Sequence, residues 1–254
     1  MRSIRPSFVV APPTGTKIRT RLRLLPADEQ VLITVGRYLG RLAGQDLVWR
    51  CRLGLGPDQR TERKRALTAA SSSRWAGAIT RTSNDQWQQG YRNLGDAHAG
   101  LRRAVCVIDQ RLQVAVGGRH GRMRGYVSQA ERYQKQRRLQ HLTTRLAKVE
   151  RRLATGQVSV CRGGRRLARL RHHLDDARLP AADWRSRWEA ERWFLTADGE
   201  ADKPLGNETI RVQPEAGWLE LKLPAPLTHL ANRPHGRYRL SCPVRFSHRT
   251  DVRV

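Results

Sequence analysis

Residues 128–155, SQAERYQKQRRLQHLTTRLAKVERRLAT, carry the cleanest helical signal in the chain. Leu139, Leu142, Leu146, Val149 and Leu153 step by 3, 4, 3 and 4, which puts all five on one narrow apolar seam. Around that seam stand Arg132, Lys135, Arg137, Arg138, Arg145, Lys148, Arg151 and Arg152, opposed only by Glu131 and Glu150. An isolated two-stranded coiled coil wants opposite charges beside its seam. Their near absence favours a helix packed on its own domain, with a cationic outer face left for a polyanion.

The surrounding composition points the same way. The 254 residues carry a formal net charge of +27. Between Ala99 and His173, nineteen Lys and Arg face three acidic residues, whereas residues 174–254 hold thirteen basic and twelve acidic groups. A folded domain repels itself at such a charge, so RNA or DNA phosphates are the expected counter-charge. Only six of the 49 cations are Lys. A GC-rich coding sequence accounts for Arg over Lys, but not for basic over acidic.

Several classes fall away. The longest apolar runs, such as AVCVI at 104–108, are too short to span a bilayer, so no membrane partner is expected. Pro6, Pro12 and Pro13 interrupt the N-terminal stretch, which does not read as a secretory signal and leaves a cytoplasmic expectation. Cys51, Cys106, Cys161 and Cys242 are scattered without a paired CxxC, so they read as free thiols rather than a zinc ribbon. The Asp175-Asp176 pair beside His172-His173 reads as a solvated turn before it reads as a metal site.

Outward from the central helix the organisation is mixed. Residues 17–25, KIRTRLRLL, alternate Ile18, Leu22 and Leu24 with Lys17, Arg19, Arg21 and Arg23. This is a half-buried strand whose cationic face is phosphate-facing or simply solvated. Pro26 ends it, and Asp28 and Glu29 open a helix to about Arg50 with Val31, Val35, Tyr38, Leu39 and Leu42 on one side. A second long helix starts near Ser83-Asn84-Asp85, all capping residues, and buries Trp87, Tyr91 and Leu94. The segment VGGRHGRMRGY (116–126) is a loop that presents Arg119, Arg122 and Arg124. VSVCRGGRRLARL (158–170) gives a short strand, a Gly-Gly turn and a basic helix bearing Arg162, Arg165 and Arg166. Residues 182–196 place Trp184, Trp188 and Arg192 on one helical face. Strands follow at 208–213, 218–223 and 237–246.

These pieces, in this order, resemble the N-terminal half of the TnpB/OrfB family, proteins of insertion sequences related to type V CRISPR effectors. The residues that carry the resemblance are KIRTRLRLLP, NDQWQQGYRNLGDAHAGLRRAV, VCRGGRRLARL and ADGEADKPLGNETIRV (197–212). In the last, Gly199, Asp202, Gly206, Asn207 and Thr209 match a family turn between two strands. The resemblance implies an α+β fold, a wedge-type β-barrel interrupted by a helical recognition domain. Residues 1–26 would supply its first strand, 27–156 the recognition domain, and 157–254 the remaining barrel with a helical insertion. It implies two partners, a guide RNA and a double-stranded DNA carrying a transposon-adjacent motif. The helix holding Asn84, Gln88 and Arg92 would face that duplex. Gln88 is suited to an adenine edge, or else is an ordinary solvent-facing residue.

The resemblance implies a RuvC-like nuclease site of three carboxylates on divalent metal, Mg in this expectation. It lies in a C-terminal half that this sequence, ending at Val254, does not include, and Asp251 has no acidic partner at suitable spacing. The expectation is therefore a chain that grips RNA and DNA without cutting, with no catalytic residue, metal or cofactor of its own. A stand-alone DNA- or RNA-binding regulator, repressor or competitor, is the alternative. An unrelated hydrolase or transferase is a more distant one.

Overall fold

The computed structural model describes residues 20–198 and 208–245. Lys17 and Arg19, the turn residues Gly199, Asp202, Gly206 and Asn207, and Asp251 lie outside the described residues. Helix α1 (Pro26–Leu53) begins with Pro at its first turn, carries Asp28 and Glu29 there, and ends on Arg50 and Arg52. Both charge sets complement the helix dipole. Asp28 has a second task. Fully buried, its carboxylate accepts from the Tyr238 hydroxyl at 2.9 Å and from the backbone N–H of Ser241 at 2.9 Å and Cys242 at 3.3 Å, tying the start of α1 to the last strand.

Helix α2 (Arg60–Ala70) follows a turn, and α3 (Ser73–Leu112) starts after a two-residue break. Arg63 of α2 and Asp46 of α1 form a fully buried fork at 2.9 and 2.6 Å. Three strands, β3 (Ile210–Gln213), β4 (Trp218–Lys222) and β5 (Arg237–Arg239), pair antiparallel in that order once the chain returns. Val35, Leu39 and Leu42 of α1, Leu67 of α2, and Trp75 and Ile79 of α3 share one core with Leu221, Leu223, Tyr238 and Leu240. The buried Trp75 indole donates to the Lys222 carbonyl at 2.9 Å, so its one polar atom is satisfied where helix meets sheet.

The fold is α+β. Among the described residues the strands make a three-stranded sheet and a two-stranded hairpin, and no closed barrel. Residues 20–25 form no paired strand, yet the expected alternation holds: Leu22 and Leu24 pack on the core while Arg21 and Arg23 stay exposed. The short strand expected at 158–161 is likewise unpaired chain.

The remainder of α3 leaves this core as one side of an arm. At 1.5 Å per residue its forty residues run about 60 Å. A small hairpin, β1 (Arg119–His120) and β2 (Met123–Arg124), turns the chain, and α4 (Gln129–Thr155) runs back against α3. Ser128 caps α4 by accepting from the Glu131 N–H at 3.2 Å, while Glu131 accepts from the Val127 N–H at 3.0 Å. Ile108, Leu112, Tyr126 and Leu142 form a cluster near the tip; Trp87, Leu94 and Val158 form one at the root, with Tyr91, Val149 and Leu153 beside them.

The start of α3 corrects the sequence expectation. Its cap is Ser72, which accepts from the Trp75 N–H at 3.2 Å, and the helix runs unbroken through Ser83-Asn84-Asp85. Burial of Trp75, Ala76 and Ile79 in the core outweighs the local capping preference of those three residues.

Candidate nucleic-acid interface

Arginine–carboxylate pairing divides the molecule. Arg37–Glu189, Arg63–Asp46, Arg81–Asp198, Arg211–Glu208, Arg237–Glu208 and Arg239–Glu220 all lie outside residues 99–173. Within that stretch none of the nineteen cations has an ion-pair partner among the described residues. Its three carboxylates are engaged elsewhere: Asp109 accepts from Gln113 at 3.3 Å, Glu131 caps α4, and Glu150 meets the His98 ring at 3.3 Å. The arm therefore carries an uncompensated positive field.

That field has a side. Arg138, His141, Arg145, Lys148 and Arg152 each immediately precede a seam residue of α4, so they form a stripe rotated about 100° from the seam. The opposite flank carries Gln136, Thr143, Ala147 and Glu150, without a cation. On α3 the edge Gly90, Asn93, Ala97, Gly100, Ala104 and Val107 repeats the same 3,4 spacing with small or neutral side chains. The two edges meet near the tip, where Arg103, Ala104, Val107, Arg111, Lys135 and Arg138 line a cleft of about 410 Å³ with Tyr126. From Arg138 to Arg152 the stripe extends about 21 Å, the axial length of roughly six phosphates of one duplex strand.

Each expected contact residue among the described ones has a definite place. Arg137, Arg145, Lys148 and Arg151 are exposed on α4, as are Arg138, Gln88 and Arg92 on their helices, Arg92 donating to Gln89 at 3.1 Å. Arg119, Arg122 and Arg124 crown the tip hairpin, where Arg119 donates to the Gly121 carbonyl at 2.8 Å. Lys135 sits half-buried with its Nζ 6.0 Å from the Tyr126 ring centroid, and the Arg111 guanidinium is 4.2 Å from the same ring. Arg152 donates to the Gln157 carbonyl at 3.3 Å and Arg165 to that of Ser159 at 3.1 Å; Arg166 is exposed.

Three of the expected contact residues also make hydrogen bonds that hold the fold together. Asn84 accepts from Arg50 Nε at 3.0 Å, so its side-chain oxygen is engaged by a buried arginine. Arg132 donates to the Val114 carbonyl at 3.0 Å and closes the tip loop. Arg162, half-buried, donates to the carbonyls of Gly40 and Trp193. In each case a backbone carbonyl or buried cation needed a partner, and the polar side chain nearest it supplied one.

Arg162 also opens a second cationic region that the sequence reading passed over. After the short helix α5 (Arg165–Leu170), helix α6 (Ala181–Ala190) stacks Trp184 on Trp188, centroids 5.6 Å apart and planes 14° from parallel, and the Arg192 guanidinium lies 4.5 Å from the Trp188 ring centroid. This is the face expected from their spacing. Beyond α6 the chain crosses α1 so closely that a Cβ on Gly40 would stand 2.3 Å from the Arg192 carbonyl oxygen. The crossing leaves a cleft of about 1030 Å³ between α1 and α6. Arg37 and Arg41 of α1 line it, and neither was among the expected residues. Their spacing with Gly44 and Val48 marks the outer face of α1, opposite the apolar side that the sequence reading followed.

The remaining chemistry is sparse. Among the described residues no three His, Cys, Asp or Glu side chains are grouped to hold a metal ion, and His173–Asp176 at 3.6 Å is a solvent-exposed pair. No described helix is long and apolar enough to cross a membrane. Family models, curated proteins and solved structures give no match to this chain.

Proposed function

We propose that this chain is a nucleic-acid-gripping protein of the TnpB-like kind, holding a structured guide RNA along its helical arm and a motif-bearing DNA duplex beside it. The wedge-barrel reading belongs to the same proposal, with the three-stranded sheet and residues 20–25 as its described parts. One observation carries the proposal: among the described residues none of the nineteen cations of residues 99–173 has a carboxylate partner, while six arginines elsewhere do, Arg37, Arg63, Arg81, Arg211, Arg237 and Arg239. A surface kept free of internal counter-charge gains affinity by releasing counterions from phosphates. The stripe on α4 suits recognition by shape, through phosphates and 2′-hydroxyls, with no need for base reading. Sequence choice would then rest on base pairing by the RNA and a short motif read by the protein.

The test is purification of the chain followed by extraction and sequencing of any copurified RNA, then gel-shift titration with that RNA, an unrelated hairpin RNA and duplex DNA at two salt concentrations. Tight, salt-sensitive binding to a discrete structured RNA supports the proposal. Protein free of RNA and indifferent to both duplexes overturns it. A footprint on one DNA site without any RNA moves the assignment to a stand-alone regulator.

A further inference from the structure

We infer that the cleft between α1 and α6 is a binding site for an unpaired nucleotide of a single-stranded RNA or DNA segment. Its phosphate would lie among Arg41, Arg162 and Arg192, and its base against the wall of Trp188, Trp193 and Val48. The inference deepens the nucleic-acid reading by naming a second site with a different substrate from the arm's.

Charge is the first argument. The cleft is lined by Arg37, Arg41, Arg162 and Arg192 with one carboxylate, Glu189, and that carboxylate is taken by Arg37 at 2.7 Å. Arg41, Arg162 and Arg192 have no anionic partner among the described residues. Arg162 is held half-buried by the carbonyls of Gly40 and Trp193, and both its burial and the neighbouring Arg192 push its pKa below the usual arginine value. An anion shared by Arg162 and Arg192 would relieve the repulsion between them. Because the backbone already positions Arg162, little ordering remains for a ligand to impose.

The second argument is the apolar wall. Phosphate alone needs no indoles, and a duplex keeps its base faces inside the stack. Here Trp188, stacked on Trp184 and with the Arg192 guanidinium 4.5 Å from its ring centroid, lines the cleft together with the half-buried Trp193, and Val48 is half exposed at the rim. Flat aromatic surface next to uncompensated guanidinium groups is the combination that recognises splayed single-stranded bases. The volume of about 1030 Å³ is at the upper end of small-ligand sites, enough for a nucleotide and part of its neighbour.

The test uses the whole chain with four probes: fluorescein-labelled oligouridylate, an abasic strand of the same length, a blunt RNA duplex and inorganic phosphate. The single strand is expected to bind and quench tryptophan emission, and the abasic strand to bind on the order of tenfold more weakly, since stacking contributes about 1–3 kcal/mol per base. Arg41→Glu and Trp188→Ala are expected to weaken oligouridylate on the order of tenfold and to change duplex affinity less than twofold. Because Trp188 also packs on Trp184, Val48→Glu at the exposed rim serves as the second variant and is expected to act likewise. Equal affinity for abasic and ordinary strands, or competition by millimolar phosphate alone, would reduce the cleft to an anion site and overturn the inference. So would unchanged single-strand binding in Arg41→Glu and Val48→Glu. The converse pattern, duplex binding lost with single-strand binding intact, sinks the arm reading and leaves the cleft standing.

Discussion

The guanidinium carbon of Arg50 lies 3.6 Å from the ring centroid of Trp87, joining the last turn of α1 to the root of the arm. Arg50 also donates from Nε to Asn84 at 3.0 Å and from a terminal nitrogen to the Gly54 carbonyl at 3.0 Å, and the Trp87 indole donates to the Gly156 carbonyl at 3.0 Å. Burial, then the nearby Arg63, pushes the Arg50 pKa below its usual value. A cation that resists protonation loss is here held by a ring face and two oxygens in place of a carboxylate.

Replacing Arg50 by Met keeps the volume but leaves the Asn84 amide and the Gly54 carbonyl short of a donor. We expect a loss of about 2–4 kcal/mol, read as a lower urea midpoint. Arg50→Lys should recover only part, because an ammonium cannot reproduce the fork. An unchanged midpoint in Arg50→Met would show that the root is held by other contacts.

The arm stripe predicts a salt signature. With Arg138, Arg145, Lys148 and Arg152 on phosphates, log K for duplex RNA should fall with log salt at a slope of about −4. Arg145→Gln with Lys148→Gln should lower the slope magnitude by about 2, while Gln136→Ala and Thr143→Ala on the opposite flank leave it unchanged. Equal effects from both flanks would remove the sidedness of the arm.

Gly40→Ala places a methyl 2.3 Å from the Arg192 carbonyl oxygen, a contact that forces the crossing chain away from α1. The Phe194 N–H, which donates to the Gly36 carbonyl at 3.0 Å, moves with it. The expected cost is about 1–3 kcal/mol, seen as a lower Tm together with a shift in tryptophan emission. Gly100→Ala, whose Cβ meets nothing within 4 Å, is the control and should be neutral or slightly stabilising through its better helix propensity.

Tyr238 titrates late. Burial, with the hydrogen bond to Asp28, pushes its phenol from 10.0 up to about 12. The unfolded chain releases this proton first, so the contribution is complete below pH 10 and fades as the pH rises toward 12. Absorbance near 295 nm should show a tyrosine ionisation step at about pH 12. Tyr238→Phe should abolish that late step; its persistence would place the latent proton elsewhere.

Much of this was written in the order of residues. The 3,4 seam of α4 and the Pro-Ala-Asp-Glu opening of α1 are local signals, and both helices follow them. The start of α3 is not local: Ser83 and Asn84 look like caps until Trp75 and Ile79 find a core made partly by strands more than 130 residues away. The site divides similarly. The arm's cations are evident from composition, and its stripe can be read from the basic residue that precedes each seam position. That Arg132 and Arg162 serve carbonyls is invisible in one dimension, since which carbonyls lack partners depends on the finished fold. The cleft escapes for the same reason, because Arg41 and Arg192 converge only when the chain crosses α1.

Where α1 and α4 end, Leu55 N–H reaches the Thr155 carbonyl at 3.2 Å, and Gly54 and Gly156, at φ of 58° and 67°, touch main chain to main chain. A Cβ on Gly54 would stand 2.1 Å from the Thr155 oxygen. With no side chain interposed at this point, peptide geometry at the hinge pin adds a constraint on the bearing of the arm that side-chain repacking cannot relax. The decorated shaft is thereby free to diverge: its charges can be rewritten for a new ligand while the direction in which it reaches stays the same.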